Sequence, residues 1–322
     1  MPALRSPYPL LYRSRPGALP VRFRRERVLV VGCGDVGLRV TRVLRGRAKL
    51  FALTSSAARL IELRAAGIVP LLGNLDDRAS IKRLAGLATR VVHLAPPPGS
   101  GQNDQRTLTL MRALRLRSPP RSLVYGSTSG VYGDCQGETA IETRAVNAST
   151  SRAIRRIDAE KQIRRYGEAT SVPSCILRIP GIYAPDRAGG TPRERLLKGT
   201  PVLAAADDVF TNHIHADDLA RACIAALWRG KPQRIYNVND DTCLKMGDYF
   251  DLAADLSGLP RPPRVPRGTA MEQLPPMLLS FMSESRRLDN TRLKKELRLQ
   301  LHYPTVVHGL QTPTLRPVPA IR

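Results

Sequence analysis

The chain lacks the features that would assign it to a membrane, secreted or zinc-binding class. No apolar run in its 322 residues approaches the roughly 18 residues that a membrane helix needs, so we expect no membrane span. The five cysteines are scattered and include no Cys-x-x-Cys pair. This argues against a disulfide framework or a zinc site and favours a reducing, cytoplasmic location.

Acidic residues are also scarce, since 27 of them face 51 basic residues and leave a formal charge of +24. Only 8 of the basic residues are lysine, and the arginines are spread along the chain instead of forming one block with interleaved aromatic residues. This distribution favours a solvated basic surface over a nucleic-acid partner, although such a surface would still attract an anionic cofactor or substrate.

The most informative segment that is present begins with the apolar run 28–31 and continues into a GxGxxG loop and a helical pattern. Gly32 permits a tight turn, Gly34 lets the backbone approach a pyrophosphate, and Gly37 lets the helix pack closely on the strand. The N–H groups at the helix N-terminus would then face the anion. The predicted phosphate-binding residues are Gly32, Gly34, Asp35, Val36 and Gly37.

Strand and helix signals alternate after this loop, which predicts an α/β fold with a Rossmann-type, doubly wound parallel sheet. Among the expected helices are one near 78–84 and a long one over about 149–166. We predict a basic flexible tail, a Rossmann domain, a smaller C-terminal substrate-binding domain and a second flexible tail. Their ranges are 1–26, then 27–183 with about 216–240, then 184–215 with 241–311, and finally 312–322.

The residues after the second predicted strand bear on the cofactor. An acidic residue there would bind the ribose hydroxyls of NAD, but this chain has Thr54, Ser55 and Ser56, followed by Arg59. Small hydroxyls and a cation suit a 2′-phosphate, which favours NADP(H) over the alternative, NAD(H). The same residues also fit a plain helix cap with Arg59 in solvent.

Three more loops follow strands at the same edge of the sheet, where ligands bind in such folds. Asn74 and Leu75 follow the third strand. Leu94, Ala95 and Pro96 follow the fourth and either line the cofactor groove or form a stiff turn. After the fifth strand, the hydroxyl of Thr128 could reach a substrate carbonyl with Tyr132 nearby, or could simply cap a turn.

The glycine loop, STSGVYGD, ILRIPGIYAPDR, HIHADDLARA and YNVNDD occur in this order. Together they resemble the extended and atypical short-chain dehydrogenase/reductase superfamily, of the NAD-dependent epimerase/dehydratase type. A closing segment, SESRRLDNTRLKKELRLQLHYPT, is similar to the end of the same family, so the resemblance covers about residues 26–310. It implies a seven-stranded Rossmann domain, a smaller substrate domain and hydride transfer at a nicotinamide.

By resemblance, Asn74 and Leu75 match the adenine-side contact, Thr128 the catalytic hydroxyl and Pro180 the loop beside the nicotinamide. The GxGxxG loop departs from the family's usual GxxGxxG and points to an atypical branch.

The family's Tyr-x-x-x-Lys pair is a more serious departure, because no tyrosine in this chain has a lysine four residues later. Counting back from the Ala-Glu pair at 159–160 places Ser151 and Arg155 at these positions. Serine is too weak an acid to replace the phenol, and arginine can bind a ribose but cannot exchange the proton at working pH. Tyr132 and Tyr183 are left as candidate acids.

These observations predict an NAD(P)-dependent oxidoreductase or epimerase that acts on a small carbonyl or sugar-like substrate. The alternative is a non-catalytic NAD(P)-binding regulatory or sensor protein that has kept the pocket and lost the acid. His213 and His215 alternate along a strand end, but no third spaced ligand follows, so we predict no metal site. The resemblance also implies a homodimer through the long helix, although the five arginines of that helix would repel across such an interface.

Overall fold

The computed structural model describes residues 25–311, apart from the side chain of Met277. The strands are β1 (Arg27–Val31), β2 (Lys49–Thr54), β3 (Val69–Leu72), β4 (Arg90–His93), β5 (Ser122–Thr128), β6 (Thr139–Ala140), β7 (Ser174–Ile179), β8 (Gly181–Tyr183), β9 (Val202–Leu203), β10 (Phe210–Thr211), β11 (His213–His215), β12 (Arg234–Asn237), β13 (Leu244–Lys245), β14 (Arg264–Val265) and β15 (Arg287–Leu288). The helices are α1 (Asp35–Leu44), α2 (Arg59–Ala65), α3 (Gln105–Leu114), α4 (Ser151–Thr170), α5 (Arg193–Leu197), α6 (Ala216–Arg229), α7 (Met246–Ser257), α8 (Arg267–Gln273), α9 (Pro276–Met282), α10 (Thr291–Glu296) and α11 (Val306–Gln311).

Seven parallel strands form the central sheet, in the order β12-β7-β5-β4-β1-β2-β3. β1 pairs with β2 on one side and with β4 on the other, so the strand order reverses at β1. Residues 28–31 are fully buried because helices cover both faces of the sheet. This order confirms the predicted doubly wound fold, and it places a ligand crevice at the carboxyl end of β1.

Two apolar clusters fill the layers on either side of the sheet. One joins alternate β1 residues to α1 and α6, through contacts that include Val40 and Leu219. The other joins the opposite β1 residues to α3 and α4, through contacts that include Leu110 and Ile163. The alternation of side chains along β1 is what supplies both clusters. The helix expected near 78–84 is shorter than predicted, since only a 3₁₀ turn over Lys82–Leu84 forms there.

The C-terminal half of the chain adds short strand pairs and helices beside the sheet. β6 pairs with β15, β8 with β11, β9 with β14 and β10 with β13. A third apolar cluster, which includes Tyr249 and Phe250, lies between α5, α7 and α11. The boundaries of a separate substrate domain stay a prediction of the sequence.

The two predicted tails lie almost wholly outside the described residues. Within the described part, Glu26 forms ion pairs of 3.5 Å with Arg90 and with Arg121, so this end of the predicted N-terminal tail is tied to the sheet. No helix over residues 25–311 combines the length and apolar character needed to cross a membrane.

Candidate active site

The glycine loop between β1 and α1 has three glycines in three different environments. Gly32 has a φ of +83°, and a Cβ there would lie 2.3 Å from the backbone nitrogen of Ala95. A Cβ on Gly37 would lie 3.1 Å from Val30 Cγ1. No atom lies within 4 Å of the Cβ position of Gly34, which precedes α1 and has no capping side chain. The loop is therefore tightly packed except at the helix N-terminus, where open space faces free N–H groups.

Two cavities meet at this loop. The first, of about 520 Å³, extends towards β5 and α4, and we call it the β5–α4 cavity. The second, of about 440 Å³, extends over the ends of β2 and β3, and we call it the β2–β3 cavity. Both contact Gly32, Gly34, Leu94 and Pro96. A long ligand lying across Gly34 would reach into both cavities.

The β2–β3 cavity collects the residues that the sequence predicted for the adenosine end of a dinucleotide. Its lining includes Thr54, Ser55, Arg59, Asn74, Leu75 and Ala95. The Thr54 hydroxyl accepts a hydrogen bond from the Ser56 N–H (3.2 Å), so it shapes the turn. Ser55 and Ser56 are exposed at the opening.

Arg59 lies in the same cavity but already has partners. Its Nε and Nη2 each donate to a Glu62 carboxylate oxygen at 3.1 Å, and its Nη1 donates to the Cys33 carbonyl at 2.7 Å. The hydrogen bonds from Arg59 hold the pKa of Glu62 below its usual value. Arg59 therefore contacts the glycine loop at the Cys33 carbonyl, and its charge is partly neutralised by Glu62.

The β5–α4 cavity contains Asp35, Val36, Gly37, Thr128, Arg155 and Pro180 from the predicted set. The Thr128 Oγ1 accepts a hydrogen bond from the Gly130 N–H at 3.2 Å, which leaves its O–H free to donate into the cavity. Sequence reasoning had offered a capped turn and a substrate-facing hydroxyl as alternatives for Thr128. In the structure Thr128 caps the turn and also lines the cavity, and the contact of its hydroxyl with a substrate stays a prediction.

Three other candidates lie outside this cavity. Tyr132 is 1% exposed and donates from its phenol to Asn237 Oδ1 at 2.7 Å, and burial raises its pKa. Tyr183 is 2% exposed and donates to the Thr305 carbonyl. Ser151 is exposed at the first position of α4. The prediction that Tyr132 or Tyr183 supplies an acid to the cavity is corrected, because tertiary contacts direct their phenols to Asn237 and Thr305. Ser151 does not line the cavity either.

Sequence reasoning missed three arginines of the same cavity, Arg152, Arg156 and Arg187. Arg152 and Arg156 are four residues apart, the spacing of the family's Tyr-x-x-x-Lys pair, and both line the cavity. The signal that would have found them is this i, i+4 spacing on the first turns of a long helix. Among the described residues that line this cavity there is no tyrosine, histidine or lysine, and Asp35 is the sole carboxylate.

A buried ion pair forms the support beneath Thr128. Arg178 and Glu160 are each 2% exposed and are joined by two hydrogen bonds, of 3.1 and 2.8 Å. The Ser127 hydroxyl donates to the same carboxylate at 2.7 Å, and the Arg178 guanidinium lies 4.6 Å from the centre of the Tyr132 ring. The pair thus links β5, α4 and β7 at the residue before Thr128.

Comparison with known proteins gives a match over residues 28–239 to the NAD dependent epimerase/dehydratase family. The chain belongs to this family. Its sequence is 28% identical over 120 residues to YtcB, an uncharacterized UDP-glucose epimerase of Bacillus subtilis; this stretch is 34% of our chain and 37% of the relative.

Solved structures extend the likeness to most of the chain. A functionally unknown conserved protein from Silicibacter pomeroyi is 29% identical, with a TM-score of 0.75, over 89% of our chain and 97% of that one. A UDP-glucose 4-epimerase from Thermotoga maritima, solved with UDP-glucose, is 17% identical, with a TM-score of 0.73, over 88% and 96% of the two chains. The second of these shows the fold alone.

Membership of an NAD-dependent family of enzymes agrees with the shape of the glycine loop. The space over Gly34 is a cradle that a Cβ would fill, and it opens on the N-terminus of α1, which attracts anions. Residues of the β2–β3 cavity would hold the adenosine end, and residues of the β5–α4 cavity would hold the nicotinamide end. The residues present therefore fit the cofactor that the family requires.

Proposed function

We propose that this chain binds NADP(H) across the glycine loop and oxidises or reduces a hydroxyl or carbonyl group of a small, sugar-like substrate. The observation that carries the proposal is the meeting of two cavities at Gly34, with the Thr128 hydroxyl in one of them. An oxidoreductase and an epimerase share this chemistry. A sugar nucleotide is the substrate that the names of the relatives suggest. A cytoplasmic location and a homodimer stay predictions of the sequence.

When bound, the cofactor supplies a centre that accepts or returns a hydride. Thr128 would donate a hydrogen bond to the substrate oxygen and orient the reacting carbon, and the proton that this oxygen gains or loses would be exchanged with water. The lining arginines would stabilise negative charge on that oxygen, since they keep their charge at any working pH. A phenol takes no part in this proposal, because Tyr132 and Tyr183 are sealed from the cavity.

The preference for NADP(H) rests on Arg59 and the exposed serines of the β2–β3 cavity. We expect Arg59→Gln to weaken NADPH binding about tenfold, because one charge-assisted hydrogen bond to a phosphate contributes roughly 1.5–3 kcal/mol. NADH binding should change less than about twofold. The measurement is a fluorescence titration of each dinucleotide into the purified protein.

The paired acid provides the matched control for this titration. Glu62→Gln frees the Arg59 guanidinium, so it should strengthen NADPH binding and leave NADH unchanged. If Arg59→Gln instead lost the same affinity for NADPH and for NADH, Arg59 would be assigned to bracing the loop through the Cys33 carbonyl. The proposed preference for NADP(H) would then be rejected.

The role of Thr128 is tested by removing its hydroxyl. We expect Thr128→Ala to lower kcat by about 10²-fold or more, which is typical for loss of a group that polarises a reacting oxygen. Cofactor affinity should change little, because the glycine loop holds the phosphates. Thr128→Ser keeps the hydroxyl and should keep most of the turnover. Unchanged turnover in Thr128→Ala would reject the assigned role.

A non-catalytic sensor of NADP(H) is the second candidate, and the absence of a phenol from the described lining favours it. It predicts tight dinucleotide binding together with no turnover on a broad panel of carbonyl and sugar-nucleotide substrates. Turnover that Thr128→Ala abolishes would exclude it.

A further inference from the structure

The first turns of α4 carry an unusual concentration of positive charge. Arg152, Arg155 and Arg156 all line the β5–α4 cavity. Arg155 is 6% exposed, its Nε has no hydrogen-bond partner, and its Nη1 donates to the Gly101 carbonyl at 2.8 Å. Arg156 donates to the Gly126 carbonyl, also at 2.8 Å. Over residues 25–311, none of these three arginines forms an ion pair with a carboxylate.

The other buried arginines of the described chain are neutralised. Arg39, which is 5% exposed, forms ion pairs with Asp35, Asp186 and Asp217 at 3.1, 2.6 and 2.5 Å. Arg178 is paired with Glu160. In the same cavity, the half-buried Arg187 lies 3.6 Å from Asp35. Arg155 is thus the exception among the fully buried arginines that the structure describes; the half-buried Arg195 also lacks an acidic partner and lies over the Phe250 ring instead.

This arrangement opposes helix stability in three ways. Positive charge at a helix N-terminus interacts unfavourably with the helix dipole. Like charges three and four residues apart on one helix face repel. A guanidinium removed from water without an acidic partner bears a desolvation cost that the hydrogen bond of Arg155 to the Gly101 carbonyl offsets only in part. An anion bound in the cavity would offset all three.

We propose that Arg152, Arg155 and Arg156 form an oxyanion site that binds a carboxylate or phosphate group carried by the substrate beside Thr128. Guanidinium groups match both oxyanions, because their planar N–H donors pair with two oxygens at once. Calling the anion a substrate group rests on the proposed function. Anion binding itself is measured without turnover.

The cofactor's own phosphates are the competing occupant. The pyrophosphate is expected at the N-terminus of α1, on another wall of the β5–α4 cavity from α4. A substrate oxyanion on α4 should therefore bind together with the dinucleotide. Anion titrations with and without saturating NADPH separate the two.

The probes are malonate for a carboxylate and pyrophosphate for a phosphate, titrated calorimetrically into the full chain at low ionic strength. We expect at least one of them to bind with NADPH present. Arg155→Gln and the exposed Arg152→Gln should each weaken this binding by about tenfold or more. Arg165→Gln removes the same charge from an exposed position of α4 outside the cavity lining, and it should change the binding less than about twofold.

The unfolding temperature gives a second readout. If Arg155 had only a structural role, Arg155→Gln would unfold at a lower temperature than the wild type. Without added anion, Arg155→Gln should unfold at the wild-type temperature or above it, because an unpaired buried charge has been removed. The anion should raise the unfolding temperature of the wild type and of Arg165→Gln, and it should have little effect on Arg155→Gln.

Each outcome decides the proposal. Equal binding to wild type and Arg155→Gln would overturn it. The proposal would also be overturned if the anion competed with NADPH and Arg155→Gln lost as much affinity for NADPH as for the anion. The arginines would then be assigned to the cofactor. A preference for malonate or for pyrophosphate would support it and name the oxyanion. Anion binding without any NADPH binding would leave the oxyanion site standing while the proposed function fails.

Discussion

Gly34→Ala is expected to lower dinucleotide affinity by about 10- to 100-fold while the protein stays folded. The added methyl group would occupy the open cradle at the N-terminus of α1. The pyrophosphate would then lose a charge-assisted hydrogen bond to the helix N–H groups, which contributes about 1.5–3 kcal/mol. Alanine caps a helix less well than glycine, by up to about 1 kcal/mol, but it stabilises by a similar amount through lower unfolded-state entropy. Calorimetric titration with NADPH and NADH measures the effect.

Two other glycines provide the matched comparisons. Gly32→Ala adds a methyl group 2.3 Å from the Ala95 nitrogen at a φ of +83°, so it should lower both stability and dinucleotide binding. Gly268→Ala, at an uncrowded position of α8, should change neither by much. If Gly34→Ala bound dinucleotide as well as the wild type, no ligand would pass over this loop and the proposed cofactor site would be refuted.

The fold and the glycine loop could be predicted because their signals are local. Continuous apolar runs between helical patterns specify buried parallel strands, and the structure confirms the central sheet. The roles of Gly32 and Gly37 also follow from neighbours within the same strand-loop-helix unit. Of the helix predicted near 78–84, only the last three residues form a helical turn, although the segment contains helix-forming residues.

The contents of the β5–α4 cavity could not be predicted in the same way. Whether Tyr132 faces the cavity depends on Asn237, which lies 105 residues further along the chain and accepts a hydrogen bond from its phenol. The sequence shows five arginines on α4 but not which of them lie against the loop at Gly101. Partners that are distant in sequence decide these orientations. Counting positions along a local motif therefore identifies Arg155 but not the neighbouring Arg152 and Arg156.

Glu160→Gln is expected to be the most destabilising of the substitutions considered, with a loss of about 3–5 kcal/mol in the free energy of unfolding. The amide keeps the shape of the side chain but leaves the guanidinium of Arg178, which is 2% exposed, without its counter-charge. The unfolding temperature should fall by roughly 10 °C. Denaturant titration and calorimetry measure the change, and Glu138→Gln is the control, since the Glu138–Arg144 pair is exposed and contributes at most about 1 kcal/mol.

The same substitution tests how Thr128 is held in place. The Ser127 hydroxyl donates to the Glu160 carboxylate, so weakening this contact should displace the end of β5 and reduce turnover in the protein that remains folded. Adding Arg178→Met removes the unpaired charge and should recover much of the stability, because an apolar side chain replaces a buried ion at little cost. Turnover should stay low in the double variant, since the neutral amide oxygen accepts a weaker hydrogen bond from Ser127 than the carboxylate does. Recovery of stability and turnover together would mean that the pair supports the fold alone and has no part in positioning Thr128.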